Sequence, residues 1–199
     1  MTDFIPEIWE EEAPPPHAAV CGRCELSRHR KRVVWGEGSP SAPLFVLLDN
    51  PGAREDREGR AFVCGTRETL QLGLREAGLA PGLVYVSYLL KCRPVRAYDK
   101  PAARAACAPY LQLQLGEKKP RLLLGLGNTV VETLFPDMEA DVKSFRGRRH
   151  DYNGIPVVVS YHPLAVRRRP VLMKAFVEDL RLAAELVGRE GGANGRKLN

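Results

Sequence analysis

Residues 44–52 read Leu-Phe-Val-Leu-Leu-Asp-Asn-Pro-Gly, an apolar run that ends in two polar residues and a Pro-Gly turn. A short apolar run between turn signals is typical of a parallel strand that is buried on both faces. The stretch from Thr66 to Ala77 predicts an amphipathic helix, with Thr66 as its cap and Gly78 as its stop. The two segments together predict a strand–loop–helix unit whose loop carries the polar residues.

The same alternation continues along the chain. Strands are predicted at 83–90, 121–126 and 155–160, and helices at 102–115, 128–134 and 171–186. Strands that alternate with helices predict an α/β fold of three layers, α/β/α, around a central four-stranded parallel sheet. In such a sheet the chemistry lies beyond the carboxyl ends of the strands, which is where Asp49, Asn50 and His162 fall.

The composition is that of one globular domain: 199 residues, of which 44% are hydrophobic and 27% charged. No apolar run approaches the roughly 20 residues that span a bilayer, and the amino terminus lacks a signal-peptide pattern. We therefore expect a cytoplasmic protein without membrane contact, and we expect it to be a monomer.

Charged residues are distributed unevenly along the chain. Residues 1–20 hold five acidic residues and no Lys or Arg and include a proline run, which predicts a flexible or loosely docked acidic arm. The folded domain is expected at 21–187, followed by a flexible tail at 188–199. Because the arm is acidic, the domain is more basic than the net charge of +6 suggests, which favours a nucleic acid as partner.

Four of the five cysteines have the spacing of a metal site. Cys21 and Cys24 form a C-x2-C pair, and Cys92 and Cys107 follow with 14 residues between them. Four thiolates from three segments can bind zinc or a [4Fe–4S] cluster. Zinc ribbons usually use two C-x2-C pairs, so the single pair here favours the iron–sulfur cluster. Cys64 is expected to be a small buried residue near the pocket, not a ligand.

Five motifs follow one another in order. They are Cys21-Gly22-Arg23-Cys24, Asp49-Asn50-Pro51-Gly52, Lys91-Cys92-Arg93-Pro94, Cys107 and His162-Pro163-Leu164. In this order and spacing the chain resembles the family 4 uracil-DNA glycosylases, the iron–sulfur branch of the uracil-DNA glycosylase superfamily. The resemblance implies DNA repair by hydrolysis of the N-glycosidic bond of uracil, or of another deaminated or damaged base, flipped out of single- or double-stranded DNA. It also implies a structural [4Fe–4S] cluster, with the ligands Cys21, Cys24, Cys92 and Cys107.

Cleavage of a base from deoxyribose passes through an oxocarbenium-like sugar, so the site must position water, stabilise the departing base and hold the flipped base. His162 is expected to donate a hydrogen bond to the oxyanion that develops on the base. Phe62 is expected to stack on the flipped base, and Gly52 to lie in the base pocket. The sequence does not mark a lysine as an amine nucleophile, so we expect a monofunctional enzyme.

Three positions depart from the family pattern. Asp49 and Asn50 stand where family 4 has glutamate and alanine, and either side chain is a candidate for positioning the water. Tyr88 stands where family 4 has the asparagine that binds the uracil edge, and one hydroxyl cannot reproduce the donor and acceptor of an amide. Tyr88 is therefore expected to fill the base pocket, to select another base or to stack on one.

A basic loop follows the last motif, and the resemblance places this loop against DNA. Arg167, Arg168 and Arg169 are expected to contact phosphates, with Leu164 or an arginine as a wedge in the minor groove. Two alternatives to a glycosylase remain open. One is a catalytically weak or inactive homologue that binds DNA or a modified base, and the other is a nucleic-acid-associated protein that uses the fold for another reaction.

Overall fold

The structure is a computed structural model that describes residues 4–57, 64–136 and 138–193. Within these ranges the strands are β1 (Glu11–Glu12), β2 (Gly36–Gly38), β3 (Leu44–Leu48), β4 (Val84–Tyr88), β5 (Leu122–Leu126), β6 (Arg149–Tyr152) and β7 (Ile155–Ser160). The helices are α1 (Pro16–Ala19), α2 (Gly65–Glu76), α3 (Lys100–Lys118), α4 (Asn128–Leu134), α5 (Val142–Phe145), α6 (Pro163–Arg168) and α7 (Met173–Ala193).

The strands form one sheet in the order β1-β2-β4-β3-β5-β7-β6. Its middle four strands, β4, β3, β5 and β7, run parallel, so that Leu44 lies beside Val84 on one side and Leu122 on the other. This confirms the predicted four-stranded parallel core. The outer strands β1, β2 and β6 are antiparallel additions that the apolar runs did not predict.

The outer strands were missed because they are short and carry little periodic signal. β1 has two residues, and β2 has three, of which two are glycine. β6 did have a signal: it is joined to β7 by Asn153 and Gly154, both with positive φ (52° and 83°). An Asn-Gly pair with these signs of φ is typical of the tight turn in a two-residue hairpin.

Helices cover both faces of the sheet, which confirms the three-layer architecture. Along β3, Leu44, Val46 and Leu48 pack on the face under α2, α6 and α7, whereas Phe45 and Leu47 pack on the face under α3, α4 and α5. A strand between two helical layers has no solvent-facing position, and so the sequence of β3 is apolar throughout.

Several helix boundaries differ from the predicted ones. α2 begins at Gly65 with Cys64 as its N-cap, so Thr66 is not the cap. α3 is longer than predicted at both ends, and the Asp99 carboxylate caps it by accepting a hydrogen bond from the backbone N–H of Ala102 at 3.0 Å. These are shifts of a few residues at ends where a side chain, not the apolar pattern, decides where the helix starts.

The acidic amino-terminal segment is docked on the sheet, which corrects the expectation of a flexible or loosely docked arm. The backbone N–H of Glu7 donates to Gln71 Oε1 at 2.8 Å, and Trp9 is only 9% exposed. β1 pairs with β2, and Arg32 donates to both carboxylate oxygens of Glu11 at 2.5 and 2.6 Å. The acidic residues of this segment therefore take part in the fold.

The carboxyl-terminal end also differs from the expected flexible tail. α7 continues to Ala193, so residues 188–193 are helical, and the rest of the predicted tail lies outside the described residues. None of the helices in the described part of the chain is long and apolar enough to cross a membrane.

Candidate active site and cysteine cluster

The carboxyl ends of the parallel strands open into a cleft of about 350 Å³. The residues predicted for the site that line it are Asp49, Asn50, Gly52, Tyr88, His162, Leu164 and Arg167. Of the other predicted residues, Arg168 and Arg169 do not line the cleft, and Phe62 lies outside the described residues. The topology thus brings together side chains that are more than 100 positions apart in the sequence.

His162 and Asp49 face each other across the end of β5. His162 caps α6, and its Nδ1 accepts a hydrogen bond from the backbone N–H of Leu164 at 3.1 Å. Because Nδ1 accepts, a neutral ring carries its proton on Nε2, which lies 3.4 Å from Asp49 Oδ1. Burial raises the pKa of the Asp49 carboxyl, but the contacts with His162 and with the backbone N–H of Asn50 outweigh it, so the pKa lies below its usual value.

Gly127 leaves the space that the side chain of His162 occupies. It follows β5 directly, its φ is +96°, and a Cβ at this position would stand 3.0 Å from the Cβ of His162. Its backbone N–H donates to the carbonyl of Ser160 at 2.9 Å, which ties the ends of β5 and β7 together. Sequence reasoning did not assign Gly127 to the site, although a glycine directly after a buried strand is a signal of close backbone approach.

Asn50 is turned toward its own backbone. Its backbone N–H donates to Asp49 Oδ1 at 2.8 Å, and its side-chain Nδ2 donates to the Pro51 carbonyl at 3.0 Å. In this orientation the amide oxygen is the group that the side chain offers to a water. Because Asp49 and Asn50 both line the cleft, both stay candidates for positioning that water.

Tyr88 ends β4 and reaches α2, where Arg67 Nη2 donates to its Oη at 2.8 Å. Arg67 is also paired through Nε with the carboxylate of Glu37 on β2. Tyr88 is 3% exposed and Arg67 is 5% exposed, and both line the cleft. Sequence reasoning missed Arg67 and Glu37, because a charged residue in an amphipathic helix or a short polar segment is assigned to the solvent side by default.

Glu55 brings a further carboxylate into the cleft, which the sequence did not indicate. A Cβ on Gly52 would stand 2.6 Å from Glu55 Oε2, so this carboxylate covers the glycine that was predicted for the base pocket. The thiol of Cys64 donates to Glu55 Oε1 at 2.9 Å. Burial and then the neighbouring Glu55 raise the pKa of Cys64, which keeps it a neutral donor.

The other four cysteines, Cys21, Cys24, Cys92 and Cys107, belong to one apolar cluster, here called the cysteine cluster. Cys92 follows β4 and Cys107 lies in α3, and each is 4% exposed. Arg30 Nη1 lies 3.6 Å from Cys92 Sγ. Burial raises the pKa of Cys92 to about 11, against the effect of Arg30. Within the described ranges, no group of three or more His, Cys, Asp or Glu side chains is arranged so that it could hold a metal ion.

Comparison with known proteins identifies the family. The family model of the uracil DNA glycosylase superfamily matches residues 35–181. The chain belongs to the uracil-DNA glycosylase superfamily. This confirms the membership that the ordered motifs predicted.

Several relatives in this superfamily are similar over most of their length. A protein named Type-4 uracil-DNA glycosylase from Pyrobaculum aerophilum is 34% identical over 170 residues, which cover 80% of this chain and 86% of that protein. A protein of the same name from Saccharolobus solfataricus is 33% identical over 174 residues, 83% of this chain and 81% of the relative. One from Thermotoga maritima is 30% identical over 175 residues, 86% of this chain and 91% of the relative.

In this member of the uracil-DNA glycosylase superfamily, the predicted basic loop is largely helical: Arg167 and Arg168 form the last turn of α6, at the rim of the cleft, and Arg169 ends the helix. The Arg167 guanidinium lies over the start of α2, since a Cβ on Gly65 would stand 2.6 Å from Arg167 Cζ. Leu164 is half-buried in the cleft wall, whereas Arg168 and Arg169 are exposed beyond it. Contact of these four residues with DNA stays a prediction.

Proposed function

We propose that this chain is a DNA-repair glycosylase that hydrolyses the N-glycosidic bond of uracil flipped out of DNA. The observation that carries the proposal is the pairing of Asp49 with His162 at the strand ends of a uracil-DNA glycosylase superfamily member. The names of its relatives favour an enzyme over a homologue that only binds DNA.

Asp49 and Asn50 serve the sugar side of the reaction. The carboxylate of Asp49, kept ionised by its neighbours, stabilises the positive charge that develops on the deoxyribose. The amide oxygen of Asn50 accepts a hydrogen bond from the attacking water and directs it toward the anomeric carbon. Asp49 thus stabilises the charge on the sugar, and the adjacent Asn50 positions the water.

His162 serves the base side. Its tautomer is fixed by the backbone N–H of Leu164, so Nε2 carries the proton. The 3.4 Å separation between His162 Nε2 and Asp49 Oδ1 is long for a hydrogen bond. The N–H of Nε2 is therefore available to donate to the oxyanion of the departing base.

We also propose that the cysteine cluster holds a [4Fe–4S] cluster, with zinc as the less favoured alternative. The chemistry of the donor set suits such a group, although the four thiols are not arranged around one metal position in the described ranges. The thiols come from three chain segments and lie in one apolar cluster, and the Arg30 guanidinium beside Cys92 offsets negative charge. When bound, the group would have a structural role, joining the segment before β2 to the loop after β4 and to α3.

Release of uracil from labelled oligonucleotides tests the function. Single- and double-stranded substrates carry one uracil, the control strands carry cytosine, and alkali cleaves the abasic product. We expect cleavage of the uracil strands, and a loss of about 10²- to 10³-fold in His162→Ala, which removes the donor to the oxyanion. His29→Ala is the matched control, since His29 is exposed and outside the cleft lining. Tight binding without release by the wild-type protein would instead support the DNA-binding homologue.

A further inference from the structure

The end of β4 places a buried tyrosine in the lining of the cleft, and a buried arginine holds the position of its hydroxyl. Tyr88 Oη accepts a hydrogen bond from Arg67 Nη2 at 2.8 Å, and both side chains are more than nine-tenths buried. Both residues line the cleft together with Asp49 and His162. The tyrosine is thus part of the same site, at the position next to Leu48 in the sheet.

Arg67 is itself held from the opposite side. Its Nε is paired with the carboxylate of Glu37, which extends from β2 and is 22% exposed. β2 is hydrogen-bonded to β4, with Glu37 in register with Val86. The helix α2, the strand β2 and the strand β4 therefore each contribute one member to a chain of contacts from Glu37 through Arg67 to Tyr88.

The direction of these hydrogen bonds follows from the chemistry of arginine. A guanidinium has donors only, so the oxygen of Tyr88 must act as the acceptor in its contact with Arg67. The single proton of the hydroxyl does not take part in that contact and can be donated to another group. A tyrosine fixed in this way offers the cleft a donor, whereas an asparagine would offer both a donor and an acceptor.

We infer that Tyr88, positioned by Arg67, is the residue that selects a carbonyl group over an amino group on the edge of the flipped base. The inference rests on the proposed function and names its substrate class. Uracil has a carbonyl oxygen where cytosine has an amino group, and hypoxanthine differs from adenine in the same way. A hydroxyl donor can pair with the carbonyl oxygen but not with the amino group, which is itself a donor. The pocket therefore accepts deaminated bases and rejects the amino-bearing bases from which they derive.

The protonation state of Tyr88 supports this assignment. Burial raises the pKa of Tyr88 above its usual value, although the charge of Arg67 works against that, so the hydroxyl keeps its proton at neutral pH. The hydroxyl does not distinguish uracil from thymine, which share this carbonyl group. Only the choice between carbonyl and amino is assigned to Tyr88.

Binding of two oligonucleotides tests the inference. One carries uracil and the other carries cytosine, which has an amino group in place of the C4 carbonyl, both on a 2′-fluorinated sugar that resists hydrolysis. By fluorescence anisotropy, we expect the wild-type protein to prefer uracil by about tenfold or more, because a lost hydrogen bond leaves a buried donor unpaired. Tyr88→Phe removes only the hydroxyl and should bring the two affinities together.

Tyr85→Phe is the matched control. Tyr85 is buried on the same strand but on the opposite face, where its hydroxyl bonds Glu12 and Gln114. Its variant should keep the preference for uracil. Arg67→Lys keeps the charge but cannot span both partners, so we expect a partial loss of preference. Thermal unfolding of each variant shows whether it is folded.

The outcomes separate this inference from the proposed function. No preference in the wild-type protein, or a preference that survives Tyr88→Phe, overturns the role of Tyr88 even if uracil is excised. A preference that disappears in Tyr88→Phe supports that role. It does so even if the wild-type protein releases no base from ordinary deoxyuridine, because that failure would overturn only the proposed function.

Discussion

Replacing Gly127 with alanine should damage the site through His162 without touching any polar group. The backbone at this position has φ +96° and ψ 157°, a region that is nearly restricted to glycine and costs other residues about 1–3 kcal/mol. The new Cβ would stand 3.0 Å from the Cβ of His162, an atom close to the backbone that cannot swing away. His162 must therefore move by a few tenths of an ångström.

The expected result is a melting temperature lowered by about 5–10 °C and a rate of uracil release lowered by about tenfold, since a misplacement of about 1 Å can cost about a hundredfold. Calorimetry and single-turnover release at 25 °C measure the two effects. Gly78→Ala is the matched control: it also has a positive φ (77°), but among the described residues a Cβ there meets no atom within 4 Å. If both variants lose stability and both release uracil at the wild-type rate, Gly127 does not position a catalytic histidine.

Three further predictions concern other parts of the chain. Because the pKa of Asp49 is lowered in the folded state, its carboxylate adds to the free energy of unfolding above the unfolded pKa of about 3.9, and this contribution is lost as the pH falls through the lower folded pKa. Urea unfolding measured against pH should show this dependence in the wild-type protein and not in Asp49→Asn. Cys107→Ser should lose iron and visible absorbance on anaerobic purification, whereas Cys64→Ser should keep both; equal iron in the two variants would contradict the ligand assignment. Trp9→Ala should cost about 3 kcal/mol in the free energy of unfolding, whereas Ile8→Ala, 61% exposed, should stay within about 0.5 kcal/mol; a negligible effect of Trp9→Ala would mean that the amino-terminal segment is not docked in solution.

The central sheet was predictable because its signal is local. Each parallel strand is buried on both faces, so its sequence is an uninterrupted apolar run such as Leu44–Leu48. The antiparallel edges carry no such run, and β1 and β2 exist only because they pair with strands far away in the sequence. The docking of Trp9 is likewise a tertiary effect, which the acidic residues around it concealed.

The site was predictable where a residue follows a strand directly. Asp49 is the first residue after β3 and His162 is the second after β7, and the geometry of a parallel sheet brings them to one edge. Arg67 and Glu37 could not be found in this way, because each acts through a partner on another element. A buried ion pair leaves no periodic mark in a sequence, and its members resemble ordinary surface charges until the fold is known.

The contact between Arg67 and Glu37 links the cleft to the outer edge of the sheet. Glu37 lies in register with Glu11, so the strand that steadies the arginine is itself covered by the first described residues of the chain. Under the role inferred for Tyr88, the accuracy of base choice depends on the amino-terminal strand that pairs with β2. A chain shortened by its first dozen residues is then expected to discriminate less well between bases.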